Sequence, residues 1–241
     1  MKKFFMMAVM AVAALSANAQ YAPEKGDIST AIKFNPFHSE GKTFGEIETG
    51  AIMGRYMITD KDAVRATLGF GYNNVKNEEE DIVDSNKKVE LNGSATTFSF
   101  KVGYERHFAA NDRIDLYAGA QVGFSTTSSN QESQVVYMDN NNNMVPLIVE
   151  TKNGSVENNV VKATSPNTFS FGVFTGINFY VYKKLFVGAE IGFNYGHGSY
   201  KDVEYPEFKD NKWETKTAEM NNTTSSLGFK VEPQLTLGWT F

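Results

Sequence analysis

The 241-residue sequence contains no cysteine, which excludes a disulfide scaffold, a thiolate metal site, a thiol nucleophile and a lipoprotein anchor. Proline is scarce at six residues and histidine scarcer at three. Basic charge is in short supply too. Lys and Arg number 23 against 28 Asp and Glu, a formal net charge of −5, so the basic footprint of a nucleic-acid binder is missing. After the first fifteen residues no apolar run approaches the roughly 18 positions of a spanning helix. If the chain enters a membrane, it does so as β-structure. A mean hydropathy of −0.36 and 21% charged residues resemble a soluble protein. A transmembrane barrel gives the same figures, because its lumen and loops are polar.

What is present is glycine (20 residues) and aromatic side chains (13%), a mixture suited to twisted strands with interfacial rings. The N-terminus indicates the compartment. Lys2 and Lys3 precede an apolar stretch, Phe4 to Leu15, and Ser16-Ala17-Asn18-Ala19 supplies an A-x-A cleavage site. Residues 1–19 are therefore expected to be a cleaved signal peptide, with residues 20–241 as the mature domain.

Beyond the leader, period-two alternation recurs in segments of the length a tilted membrane strand needs, roughly 9–11 residues. Eight such segments are expected: 27–35, 44–58, 64–72, 98–105, 114–124, 169–181, 185–195 and 227–241. The second is irregular, which suggests a face change by a bulge at Gly50 or Gly54. Tight turns fall at 59–62, 109–113 and 183–184, and loops near 36–43, 73–94, 125–167 and 196–223. Within the longest loop, Gln134 to Met138 and Met144 to Thr151 read as a hairpin above the membrane, with a ten-stranded barrel as the alternative. An even count with alternating long and short connections predicts an all-β, eight-stranded antiparallel up-and-down transmembrane β-barrel.

A soluble sandwich also alternates, but it would not put charges opposite the apolar faces of nearly every strand. Aromatics fall towards strand ends in two levels. Tyr56, Phe108, Phe179, Trp239 and Phe241 lie near the short turns; Tyr72, Phe98, Phe169 and Tyr195 lie near the long loops. Together they form a candidate girdle. The chain stops at Trp239-Thr240-Phe241, with alternating apolar residues running back from Phe241. This ending resembles the signal by which outer-membrane barrels are recognised for assembly. With the leader and the strand layout, residues 26–241 resemble the small OmpA/OmpX-type outer-membrane β-barrel family. The resemblance implies a bacterial outer-membrane location, outer-membrane lipid as surroundings and the barrel-assembly machinery as a partner in biogenesis. It brings no catalytic motif.

The inward faces carry Lys33, Arg65, Lys101 and Lys230 against Glu105, Asp115, Glu190 and Glu232, a balance that predicts a salt-bridged plug. Arg65, Glu105 and Asp115 are expected near the periplasmic end, with Glu190, Lys33 and Lys101 nearer the middle. His38, His107 and His197 lie at different depths, and the Gly196-His197-Gly198-Ser199 stretch has no evident orienting carboxylate, so no enzyme and no catalytic residue is expected. The acidic run Glu78 to Asp81 lacks the spacing of a calcium loop, and no metal or cofactor is expected. The expected function is a non-enzymatic, structural or surface-interaction role, with the loops as the place for an extracellular ligand or host surface. The alternative is porin-like passage of a small solute or hydrophobic compound.

Overall fold

A computed structural model describes residues 23–34, 51–80, 88–111, 113–138, 144–157, 160–209 and 212–241. The leader and the loop near 36–43 lie outside the described residues. The described chain forms thirteen strands: β1 (Ile28–Phe34), β2 (Ala51–Met57), β3 (Asp62–Glu80), β4 (Lys88–Asn111), β5 (Ile114–Met138), β6 (Met144–Lys152), β7 (Gly154–Glu157), β8 (Val160–Ala163), β9 (Pro166–Tyr182), β10 (Leu185–Tyr200), β11 (Val203–Lys209), β12 (Lys212–Ala218) and β13 (Thr223–Thr240). Antiparallel ladders run from β1 through β2, β3 and β4 to β5. They continue from β5 to β9, β10 and β13, and β13 returns to β1. The sheet thus closes on itself around a lumen.

Alternation decides which side each residue takes. Ile32, Ile52, Leu68, Phe70, Phe171 and Leu237 point outward and are exposed, whereas Ser29, Arg55, Arg65, Glu105 and Asn178 point inward and are buried. This inversion of a soluble core is what a wall in hydrocarbon requires. The tight turn at 59–62 is held by the Thr59 hydroxyl, which donates to Asp62 Oδ2 at 2.7 Å and accepts the Asp62 N–H at 2.9 Å. In the two-residue turn between β9 and β10, Lys183 has φ of 45°, a left-handed conformation of the kind such hairpins use.

Two expectations need correction. First, five strands occur beyond the eight expected, and the wall strands are longer: β3, β4 and β5 have 19, 24 and 25 residues. The 73–94 loop is largely a ladder, with Asn73 opposite Ala95 and Glu80 opposite Lys88. In 125–167 the expected hairpin of Gln134 to Met138 with Met144 to Thr151 is present, with Met138 opposite Met144, but its first arm is the unbroken end of β5. In 196–223, β10 extends to Tyr200 and β11 pairs with β12 along its whole length. Alternation stops where lipid stops, but backbone pairing needs no apolar face and continues into water. The β11 ladder meets β6 at Glu204 and Lys152; two residues on, Pro206 has no N–H to extend it. On the exposed side of this hairpin Glu207 sits 2.5 Å from Lys216 and raises the pKa of its ammonium group.

Second, β2 pairs with both neighbours without a register shift, so Gly54 makes no bulge; Gly50 lies outside the described residues. The segment looks irregular because Met53 and Met57 point into the lumen, where they are buried with Ala31, Tyr180 and Phe186 near the turn end. Both faces of that strand are therefore apolar in part. The residues of the expected girdle differ in exposure. Tyr56, Tyr72, Phe98, Phe108, Phe169, Tyr195, Trp239 and Phe241 are exposed on the outer face. Phe179 is half-buried, and Tyr72 stands in mid-strand because β3 continues to Glu80.

A narrow lumen holds large rings only where the facing strand yields space. Tyr117 lies directly opposite Gly176, Phe174 opposite Gly119, and Phe186 opposite Gly238. A Cβ at Gly176 would meet the Tyr117 ring and approach the Ala189 carbonyl oxygen to 2.9 Å. Gly176→Val is therefore expected to destabilise the fold by about 1–3 kcal/mol, the range for overpacking. Gly54→Ala, which meets open space, should change little. Urea midpoints of the refolded proteins in detergent, read by gel mobility of unboiled samples, check both.

Candidate functional site

The lumen is crossed by one connected set of polar side chains. Period-two geometry turns inward Lys33 of β1, Arg55 of β2, Arg65 of β3, Glu105 and His107 of β4, Asp115 and Tyr117 of β5, Asn178 of β9 and Glu190 of β10, and all are buried. Lys33 Nζ donates to Glu190 Oε1 at 3.0 Å, and the Tyr117 hydroxyl donates to Glu190 Oε2 at 3.1 Å. Arg65 Nη1 donates to Glu190 Oε2 at 2.7 Å and to Glu105 Oε1 at 2.9 Å, while its Nη2 reaches Gln121 Oε1 at 2.6 Å. Arg55 Nε donates to Glu105 Oε2 at 2.5 Å. The His107 ring stands between two carboxylates, with Nδ1 2.9 Å from both Asp115 oxygens and Nε2 3.2 Å from Glu105 Oε2. Asn178 Nδ2 completes the chain with a 3.0 Å bond to Asp115 Oδ2.

The charges balance: Lys33, Arg55 and Arg65 oppose Glu105, Asp115 and Glu190 around the histidine. Ionised groups out of water are tolerated only when paired and hydrogen-bonded, since an isolated one costs several kcal/mol. Aromatic faces supply further contacts. The Arg65 guanidinium carbon lies 3.4 Å from the Phe174 ring centre, and that of Arg55 lies 5.1 Å from the Tyr117 ring centre. His107 stacks on Tyr117 at 5.6 Å. Beside these groups Ala31, Met53, Tyr180 and Phe186 form an apolar cluster, with the Arg55 guanidinium carbon 5.9 Å from the Phe186 ring centre. Above the network, Thr97, Ser99, Gln121, Ser125, Thr127 and Asn194 face the lumen half-buried. Accessibility thus falls from the far end towards the turns.

The structure brings Lys33, Arg65, Glu105, Asp115 and Glu190 into one network. Lys101 is half-buried on the inward face of β4 opposite Gly123. The side chains of Lys230 and Glu232 lie outside the described ones, as does His38. The bonds link the residues expected nearer the middle, Lys33 and Glu190, through Arg65 to those expected near the turn end, Glu105 and Asp115. Glu190 lies opposite Gly176, which lies opposite Tyr117, which lies opposite His107. Sequence reasoning missed Arg55, His107 and the inward rings Phe174, Tyr180 and Phe186, and it set Tyr117 on the inward face beside Asp115 without assigning it a place in the network. Strict parity from Glu105 would have placed His107 inside, and parity from Asn178 would have done the same for Phe174 and Tyr180. His197 is remote from the network and hydrogen-bonds Ser225 Oγ at 2.9 Å.

Residues 5–232 match the family described as outer membrane protein beta-barrel domain. The chain belongs to that family. This outer-membrane barrel is accordingly a bacterial outer-membrane protein; no curated protein matches it. Among solved structures it is similar to Ail, the attachment invasion locus protein of Yersinia pestis, in complex with the heparin analogue sucrose octasulfate. That likeness has 10% identity and a TM-score of 0.40, covering 90% of this chain and 99% of that one. It is also similar to OprG from Pseudomonas aeruginosa, with 10% identity and a TM-score of 0.46, covering 92% and 99%. Outer Membrane Protein W of E. coli gives 10% identity and a TM-score of 0.31, covering 90% and 99%. Likenesses this distant bear on neither ligand nor role.

Replacing Glu105 by Gln removes the carboxylate shared by Arg55, Arg65 and His107 and leaves two buried guanidinium groups undercompensated. The barrel should lose about 3–5 kcal/mol in equilibrium unfolding from detergent or lipid vesicles. Lys76→Gln, which breaks the exposed pair with Glu90 at 2.7 Å, should leave the midpoint unmoved.

Proposed function

We propose that the chain works as a non-enzymatic integral outer-membrane protein whose wall is an eight-stranded up-and-down barrel, β1 to β5 with β9, β10 and β13. On this reading the tight turns and both ends of the mature chain face the periplasm. The extended sheet of β3 to β6 with β11 and β12 faces outward and carries the structural or surface-interaction role. The leader is removed before Gln20, and Phe241 serves recognition by the assembly machinery. The observation that carries the proposal is the unbroken bonded chain from Lys33 through Glu190, Arg65, Glu105 and His107 to Asp115, packed beside the apolar cluster of Ala31, Met53, Tyr180 and Phe186. A lumen so filled has no room for a hydrated solute, and the polar upper lumen becomes a blind vestibule. Binding belongs to the outward sheet, because loops and rims held by a rigid scaffold are where recognition concentrates.

Planar-bilayer recording tests this directly. The purified barrel should give no steady conductance of porin size, and liposomes carrying it should not swell in sized sugars. Steady conductance or swelling would instead favour the transport role.

A further inference from the structure

The outer wall carries a feature that the sealed lumen does not explain. On the lipid-facing side of β2 to β5 and the adjoining β9, an apolar groove of about 860 Å³ is lined by Gly54, Ala66 and Ala120 with Tyr56, Val102 and Phe171. Small outward residues on adjacent strands create it: Gly54 lies opposite Ala66, and Ala66 opposite Val102. Nothing within 4 Å would contact a Cβ at Gly54.

At the turn end of the same face stands an ion pair that is also outward. Arg106 Nη1 lies 2.6 Å from Asp62 Oδ1, and the Tyr104 hydroxyl donates to the same carboxylate. The Arg106 side chain is 47% exposed and that of Asp62 18%. The outward pairs along β3 and β4 run Asp62–Arg106, Val64–Tyr104 and Ala66–Val102. The charged pair is therefore four residues from Ala66 in the groove, roughly 13 Å at the rise of a strand. A cation and an anion side by side at one membrane interface, with an apolar groove leading inward, match one molecular shape.

We propose that this face binds a zwitterionic glycerophospholipid of the surrounding leaflet. The phosphate lies against the Arg106 guanidinium, the terminal primary ammonium against the Asp62 carboxylate, and an acyl chain in the groove over Gly54 and Ala66. The two charges are complementary to the head group as a pair, so an anionic phospholipid without the ammonium satisfies only half of the site. The inference rests on the barrel spanning the membrane as proposed above.

The test is native mass spectrometry of the detergent-purified protein equilibrated with equal amounts of phosphatidylethanolamine and phosphatidylglycerol of the same chains. The protein should retain the zwitterionic lipid roughly two- to fivefold over the anionic one, the scale of an exposed ion pair. Asp62→Asn should erase that preference while leaving lipid adducts. Ala66→Phe, or Gly54→Leu should the first not fold, should fill the groove and remove the adducts. Equal retention of both lipids by the native protein, or undiminished adducts with a filled groove, would overturn the proposal. Gel mobility of unboiled samples reports barrel folding separately, so loss of the fold is distinguished from loss of the site.

Discussion

A strand in hydrocarbon finds no water for its N–H and C=O groups, so the structure depends on the seam where β13 meets β1. That seam is short. Ser29 to Phe34 face Thr240 to Leu235 in uninterrupted register, and the Phe241 N–H reaches the Ile28 carbonyl at 2.7 Å. Inside the lumen Ser29 and Thr240 add a hydroxyl pair at 2.8 Å. Without this closure β1 and β13 would each present an open edge to lipid. With it, every other choice in the wall concerns side chains only.

Closure then imposes the inside. A narrow ring leaves little volume for water, so inward groups must satisfy one another. The chain does so with opposed charges placed by ladder registry and with rings set against glycines. Glu190 shows the economy of this layout: one carboxylate receives Lys33, Arg65 and Tyr117 from three different strands. The same glycines that make room for rings inside have a counterpart outside, where Gly54 and Ala66 thin the wall on its lipid face.

Most of the wall was legible in the sequence, because lipid on one side and a polar lumen on the other write period two directly into residue type. β3 and β5, with Leu68 and Phe70 or Val122 and Phe124 alternating against small or polar residues, are clear cases. The signal fails where the two environments become alike. At the turn end the lumen is itself apolar, so Met53 and Met57 blurred β2. Beyond the membrane both faces meet water, so Asn73 to Glu80 read as a loop although they continue the β3 ladder. The charged network was legible as composition and only partly as geometry. Inward charges could be counted, but which partners share a level follows from cross-strand registry that one chain segment does not reveal. Arg55 was lost because β2 is apolar on parts of both faces, and His107 because its parity with Glu105 was not followed to the strand end.

The continuation of β3 and β4 past Tyr72 alters the mechanics of the surface. Eight further paired residues, Asn73 to Glu80 against Lys88 to Ala95, add roughly 27 Å of ribbon at the rise of a strand. A ribbon cross-braced by backbone bonds resists bending in its own plane and transmits a pull at its tip straight into the wall. Whatever touches that tip therefore acts on the barrel through a stiff lever rather than through slack chain.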